Sequence, residues 1–364
     1  MVQNTSFNPD WYSPPGSTIN EILQEKNISI FAFAESIDNS TDFISRLFDG
    51  KVSIDYNLAE KLSFTLGASV DFWVNREQQY RESLANLNSK SEKKWLKMLP
   101  IKDLTKLGWI NKSKNLLNEC LTFFDVNSIE EWENTYKSKV GQLSFRTSSS
   151  YQSDFASVAT WLRKGEIIAS KIECKPWNKE LFESKIDEIK KLTRVKSPSL
   201  FIPKLIDICS ECGVALSIVK TPEGCKASGA TRFISENKAL MMLSFRYLSD
   251  DHFWFTFFHE AGHLILHDDS STIFVEMSNK ADALHDDKER EANLFAAETL
   301  IPYTRHSELK NLRSNKRKII TFARELDISP GIVIGQMQFL GFIKHQYLNS
   351  YKRRYNWVDI NKLN

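Results

Sequence analysis

The chain is poor in cysteine and has no long apolar run. Its 364 residues hold five cysteines, Cys120, Cys174, Cys209, Cys212 and Cys225, too few and too scattered for a disulfide framework. Cys209 and Cys212 form one CxxC, but a zinc ribbon needs a second pair and none exists. Both read as ordinary buried thiols in PKLIDICSECGVALSIV, a helix-then-strand pattern. No apolar stretch approaches the ~20 residues that span a bilayer. The opening MVQNTSFNPDW lacks the basic-then-apolar signal pattern. We therefore expect a cytoplasmic protein without a membrane partner. Internal repeats, low-complexity tracts and Gly-rich phosphate loops are also missing, which argues against solenoids and P-loop nucleotide binding.

With 41% hydrophobic and 26% charged residues the composition is that of a globular protein, and the length suits two or three domains. Net charge is +2, unevenly spread. Residues 1–80 carry five basic against eleven acidic side chains, residues 81–120 nine against four, and residues 308–364 eleven against four. Such asymmetry marks either partner surfaces, nucleic acid among them, or solvated helix faces.

Residues 17–80 read as five short helices. STINEILQEKN has apolar residues at helical spacing, and SIFAFAESI follows. Asn39 or Ser40 caps TDFISRLFDG, which Gly50 ends. SIDYNLAEKLSFTLG and SVDFWVNREQQYRESLANL complete the set. The short turn between the second and third is the helix-turn-helix pattern. Residues 85–150 read as a helical connector, basic at first. SFRTSSSYQSDFASVATWLRKGEIIA and NKELFESKIDEIKKLT are further helices, with Trp161 a packing residue.

VALSIVK (214–220), ASGATRFI (227–234) and KALMMLSFR (238–246) then suggest a small antiparallel sheet. DDHFWFTFFHEAGHLILHDD follows, a helix expected to be capped by Asp250 or Asp251. It contains His259, Glu260 and His263 as HExxH. On a helix, i and i+4 face one way, so two imidazoles converge on one ion, with Glu260 beside them to bond a metal-held water. A catalytic zinc takes three protein ligands and keeps one open position. His267 does not qualify as the third. On a straight helix it would lie about 12 Å from His259, so it reads as a packing or ligand-supporting residue. A second helix, KEREANLFAAETLIP (288–302), offers Glu289 as ligand and, one turn on, Asn293 to orient a ligating histidine. Glu291 competes for the ligand role.

ISIFAFAESIDNSTDFISRLFDGK resembles the DNA-binding core of XRE-type regulators, especially HigA-type antitoxins, and SPPGSTINEIL is similar to that subgroup's opening. The resemblance implies that Ser40, Thr41, Asp42, Ser45 and Arg46 face the major groove of an operator and that Lys51 approaches phosphate. The acidic balance departs from this pattern, since phosphate neutralisation supplies much of DNA affinity.

HEAGHLILH, EREANLFAAETLIP and ISPGIVIGQMQFLGFI together resemble the ImmA/IrrE metallopeptidases, from roughly Ser157 to Trp357, SGATRF and LSFR included. That family's ExxA motif falls on Glu289. The resemblance implies zinc-dependent peptide hydrolysis, with Zn²⁺ held by His259, His263 and Glu289 and Glu260 as general base. Candidate oxyanion donors are Tyr303, His285 and Arg232. KALMMLSFR is either an edge strand that an extended substrate joins or a plain core strand. Cys225 is either a thiol able to reach the open zinc position and hold the enzyme latent, or an exposed turn residue. TFARELDISPGIVIGQMQFLGFI reads as a helix-turn-helix-like pair that family similarity makes structural. The KRRYNW tail reads as a solvated end or a nucleic-acid contact.

The expected fold is α+β and mostly helical. It comprises a five-helix XRE-like domain over 14–80, a helical connector over 81–150 and a zincin-like domain over 151–357 with a small antiparallel sheet. The expected function is a zinc endopeptidase that cleaves a specific repressor or toxin, coupled to a module that binds double-stranded DNA, with a homodimer anticipated from half-site geometry. The competing expectation is a non-proteolytic antitoxin or transcriptional regulator whose zinc domain binds a partner or senses.

Overall fold

The computed structural model describes residues 13–141, 149–267, 274–277 and 287–361, with side chains described over 13–136, 155–267 and 287–360. The chain divides into two compact units, Met1–Trp95 and Leu96–Asn364.

The first unit is helical. Pro15 starts α1 (Pro15–Glu25), where its missing N–H costs nothing. Ser29 accepts the Ala32 N–H to begin α2 (Ile30–Ser36), and Ser40 accepts the Phe43 N–H to begin α3 (Thr41–Phe48). Asn39 does not cap α3; its amide donates to Ile37 O instead. Asp38, with φ +58°, makes the sharp turn between the two helices. Asp55 caps α4 (Tyr56–Leu66), and Gly67, with φ +85°, lets the chain leave it. Ile19, Phe33, Ile44, Leu62 and Trp73 meet in a core from which water is excluded. A methyl at Gly16 would stand 2.3 Å from Leu47 O, so glycine allows α1 to lie directly on α3. α5 (Val70–Met98) runs on without a Gly or Pro to stop it, so residue 80, the expected domain edge, lies inside a continuous helix.

The second unit continues with α6 (Ile101–Lys106), α7 (Leu116–Phe124), α8 (Ile129–Gly141), α9 (Ser149–Ala169), α10 (Lys179–Leu192) and α11 (Pro198–Glu211). Next come β1 (Val214–Ile218), β2 (Ala227–Ser235), β3 (Lys238–Leu243), α12 (Asp250–Leu266) and β4 (Phe274–Met277). The chain closes with α13 (Asp287–Leu300), α14 (His306–Asn311), α15 (Lys316–Glu325), α16 (Pro330–Phe339) and α17 (Trp357–Asn361). β4 had no counterpart in the sequence reading.

The sheet is mixed, with order β1-β3-β2-β4. This corrects the antiparallel expectation. β2 and β3 form a hairpin around Glu236–Asn237, and β1 pairs the other side of β3 in parallel. β3 is therefore an interior strand and not the edge offered to a substrate. Its two neighbours consume its backbone groups, and all of β1 is buried. Side chains alternate across the sheet. Met242 on β3 meets Gly165 of α9 on one face, whereas Thr231 on β2, opposite Met241, reaches α12 on the other. Trp161 of α9 is fully buried and donates to Val219 O at 2.9 Å, a packing role as expected. Cys209 and Cys212 are buried free thiols, and burial pushes both pKa values up.

α12 is buried nearly all round. Its N-cap is Ser249, not an aspartate. Asp250 instead accepts from Ser329 Oγ at 2.7 Å and from the Arg353 N–H at 3.0 Å. Asp251 takes Lys352 Nζ at 2.6 Å, and Lys352 also bonds Gln338 Oε1 at 2.6 Å. This polar network fastens the start of α12 to α16 and the C-terminal segment. Ser329 caps α16, whose flanks are mostly buried, so the α15–α16 pair is structural.

Candidate metal centre

Two helices build the site. α12 carries His259, Glu260 and His263, and α13 carries Glu289 and Asn293. Small residues let them approach closely. A methyl at Gly262 would lie 3.1 Å from the Ala292 Cα, and Ala292 and Ala296 are fully buried. The Gly of HEAGH and the Ala of EREA thus set the distance at which a carboxylate from one helix meets imidazoles from the other.

His259 Nε2 lies 3.1 Å from His263 Nε2 and 3.3 Å from Glu289 Oε2, and His263 Nε2 lies 3.3 Å from Glu289 Oε1. These three residues are the group, among the described residues, whose donor atoms all fall within 4.8 Å of one another. Glu291 is outside it; its carboxylate lies 3.7 Å from His267 Nδ1.

The donor set fits zinc. Tetrahedral ligands at about 2.0–2.1 Å from the ion stand about 3.3 Å apart, close to the three separations observed. His259 Nδ1 faces Asn293 Oδ1 at 3.2 Å. An amide oxygen accepts, so Nδ1 carries a proton and Nε2 is the atom turned to the carboxylate. A proton shared between Nε2 and the carboxylate, or a metal ion in its place, satisfies this buried pair. Burial pushes the Glu289 carboxyl up, but hydrogen bonds and charge from His259 and His263 outweigh it and hold the group down at about 2. Burial lowers the His263 pKa, which favours the neutral, metal-binding imidazole.

His267 ends α12 outside this group. Its Nε2 lies 3.1 Å from Lys288 O, tying the helix end to the start of α13. Glu260 is fully buried, and its Oε2 accepts from Thr231 Oγ1 on β2. A methyl at Gly229 would stand 2.4 Å from Glu260 Oε1 and 2.7 Å from Thr256 Cγ2. Gly229 and Thr231 therefore shape the seat of this carboxylate, and the sequence reading missed both. The signal was a lone glycine in a strand, which marks close approach, with a hydroxyl two residues on, on the same face.

Arg232 is corrected as an oxyanion donor. It lies on the opposite sheet face from Thr231 and binds Glu166 of α9. Tyr303 is exposed with its ring 5.1 Å from that of His306. His285 lies outside the described residues. Cys225 is buried rather than exposed, and is not among the clustered donors.

In the first unit Ser40, Thr41, Asp42, Ser45 and Arg46 are all exposed, lying at or just before the start of α3 or along it. Lys51 is exposed and paired with Asp49 at 2.7 Å. Of the KRRYNW cations, the fold consumes Lys352 and Arg353, while Arg354 stays exposed. Lys352 holds Asp251, Arg353 bonds the Thr193, Arg194 and Val195 carbonyls, and Arg354 bonds Tyr247 O. No described helix is long and apolar enough to cross a membrane.

The family described as IrrE N-terminal-like domain (Peptidase_M78), a metallopeptidase family, matches residues 217–334. This span includes β2, β3, α12, α13 and the α15–α16 turn. An uncharacterized HTH-type transcriptional regulator of Escherichia coli (strain K12), YddM, is 35% identical over 66 residues, which is 18% of this chain and 70% of the relative. Residues 217–334 thus belong to the IrrE/ImmA-like peptidase family, and the chain joins that region to a segment similar to an HTH-type transcriptional regulator.

Proposed function

We propose that the protein is a zinc-dependent endopeptidase that cleaves one regulatory protein, a repressor or toxin, and that its N-terminal module binds an operator in double-stranded DNA. The convergence of His259, His263 and Glu289 beside Glu260 carries the reading. Bound there, zinc supplies Lewis acidity and brings the pKa of a water toward about 7.

The chain's own residues do the rest. His259 and His263 present Nε2 lone pairs, and Asn293 holds His259 in the required tautomer. Glu289 contributes a carboxylate that stays ionised throughout the physiological range. Glu260 takes the proton of the attacking water and returns it to the leaving amine. The Thr231 hydroxyl fixes the rotamer in which Glu260 does so. In the first unit, exposed Thr41, Asp42, Ser45 and Arg46 with Ser40 would read base edges, and Lys51 would reach phosphate.

The full burial of Glu260 favours a second reading, a closed zinc module that binds a partner without cleaving it. Two measurements decide. Zinc content per chain should be one in the wild type and fall in Glu289→Ala; a metal-replete protein without zinc removes the peptidase reading. Glu260→Gln should abolish the cellular effect while retaining zinc, whereas an unchanged effect supports the non-proteolytic module.

A further inference from the structure

The basic residues near the C-terminus divide into two groups. Of those in the tail, Lys352 and Arg353 are engaged by the fold, whereas Arg354 is exposed and bonds the Tyr247 carbonyl. Those between Lys310 and Lys318 lie at the surface, where Lys316 Nζ stands 5.4 Å from the centroid of the Tyr351 ring. Lys310, Arg313, Lys316, Arg317 and Lys318 are all exposed, and none forms an ion pair among the described residues. Residues 309–324 contain no acidic side chain. The flanking carboxylates, Glu308 and Glu325, both hold Arg305 at 2.7 Å. Among the described residues, five positive charges within nine residues on α14, the start of α15 and the turn between them therefore outnumber the one negative charge that Glu308 and Glu325 leave over after Arg305.

We propose that this strip binds the phosphate backbone of double-stranded DNA, as a contact separate from helix α3. A cluster with an excess of cations attracts a polyanion and releases its counterions. The chain itself points to DNA over an acidic protein. Its regulator-type module is acidic, with five basic against eleven acidic side chains in residues 1–80. Lys51, which would reach phosphate there, is paired with Asp49. Phosphate contacts on the second unit supply the affinity that this module lacks. The strip reads no bases, because α16, the second helix of the α15–α16 pair, is largely buried; its contribution is independent of sequence. The inference holds whether or not the zinc site cleaves peptides.

The test uses the full chain and a short duplex of arbitrary sequence, with binding followed by fluorescence anisotropy across a salt series. The proteins are the wild type, the triple variant Lys316→Gln, Arg317→Gln, Lys318→Gln, and Arg46→Ala. Removing cations from the first turn of α15 relieves their conflict with the helix dipole, so the triple variant should fold at least as well as the wild type. Three lost phosphate contacts should flatten the slope of log K against log salt by about 2.7. The fall in affinity between roughly 50 and 200 mM salt then becomes about 40-fold smaller. A triple variant with the wild-type slope overturns the inference, as does a wild type that fails to bind at the lowest salt. If Arg46→Ala alone weakens binding, the strip is refuted and the α3 reading stands. If the triple variant alone flattens the slope, the strip stands as a sequence-independent contact separate from α3. Unaltered DNA binding with lost retention on polyglutamate reassigns the strip to an acidic protein.

Discussion

Lys352→Met should destabilise the C-terminal unit by about 3–5 kcal/mol at neutral pH, the usual cost of stripping one partner from a buried ion pair. Lys352 and Asp251 side chains are each 8% exposed and 2.6 Å apart. Burial pushes the Asp251 pKa up, but hydrogen bonds from Lys352 and Ser249 outweigh it and hold the group below its ordinary 3.8. Without Lys352 the charge that remains is buried at the root of the helix bearing HExxH. For a unit of this size each kcal/mol moves Tm by about 2–4 °C, so a fall of about 6–20 °C is expected by calorimetry.

The pH dependence fixes the sign. A carboxylate with a depressed folded pKa contributes stability above its unfolded value and loses it as pH falls through the folded value. In the variant the carboxyl is displaced upward and gains stability by taking a proton. The deficit should therefore be largest near neutrality and shrink as pH falls toward about 4 and below. Asp251→Leu added to Lys352→Met should recover most of the loss. A single-variant deficit under about 1 kcal/mol, or one that grows on acidification, would refute the reasoning.

Asn293→Ala should weaken zinc about 10- to 100-fold by releasing the His259 ring, as measured by competition with a chromophoric chelator. Gly229→Ala forces a methyl to 2.4 Å from Glu260 Oε1. It should keep its zinc yet lose the Glu260-dependent cellular effect, since a displacement of about 1 Å can cost about 10²-fold in rate; a fully active variant would show that the carboxylate seat is slack. Chelation should lower the Tm of the C-terminal unit and leave the N-terminal unit unchanged, because only the former holds the three donors.

The convergence of His259 and His263 was legible because it rests on local geometry, whereas the packing of α13 on α12 decided that Glu289 and not Glu291 joins them. HExxH brings two imidazoles together on any helix, and Glu289 with Asn293 lie one turn apart on the next. Helix ends were legible where a Ser, Asn, Asp or Gly acts on its immediate neighbours, as at Ser40 and Gly67. The cap of α12 was misread, because Asp250 serves Ser329 and Arg353, which lie far along the chain.

By itself, then, the sequence determined the helices, the HExxH spacing and the presence of a second acidic helix, all consequences of residues within a turn or two of one another. The tertiary structure alone decided which strand lies inside the sheet, which face Arg232 takes, that Thr231 and Gly229 seat Glu260, and which cations the fold consumes. Those outcomes depend on which surfaces exclude water together. A side chain separated by many residues then becomes a neighbour, and a one-residue step along a strand sends its successor to the other face.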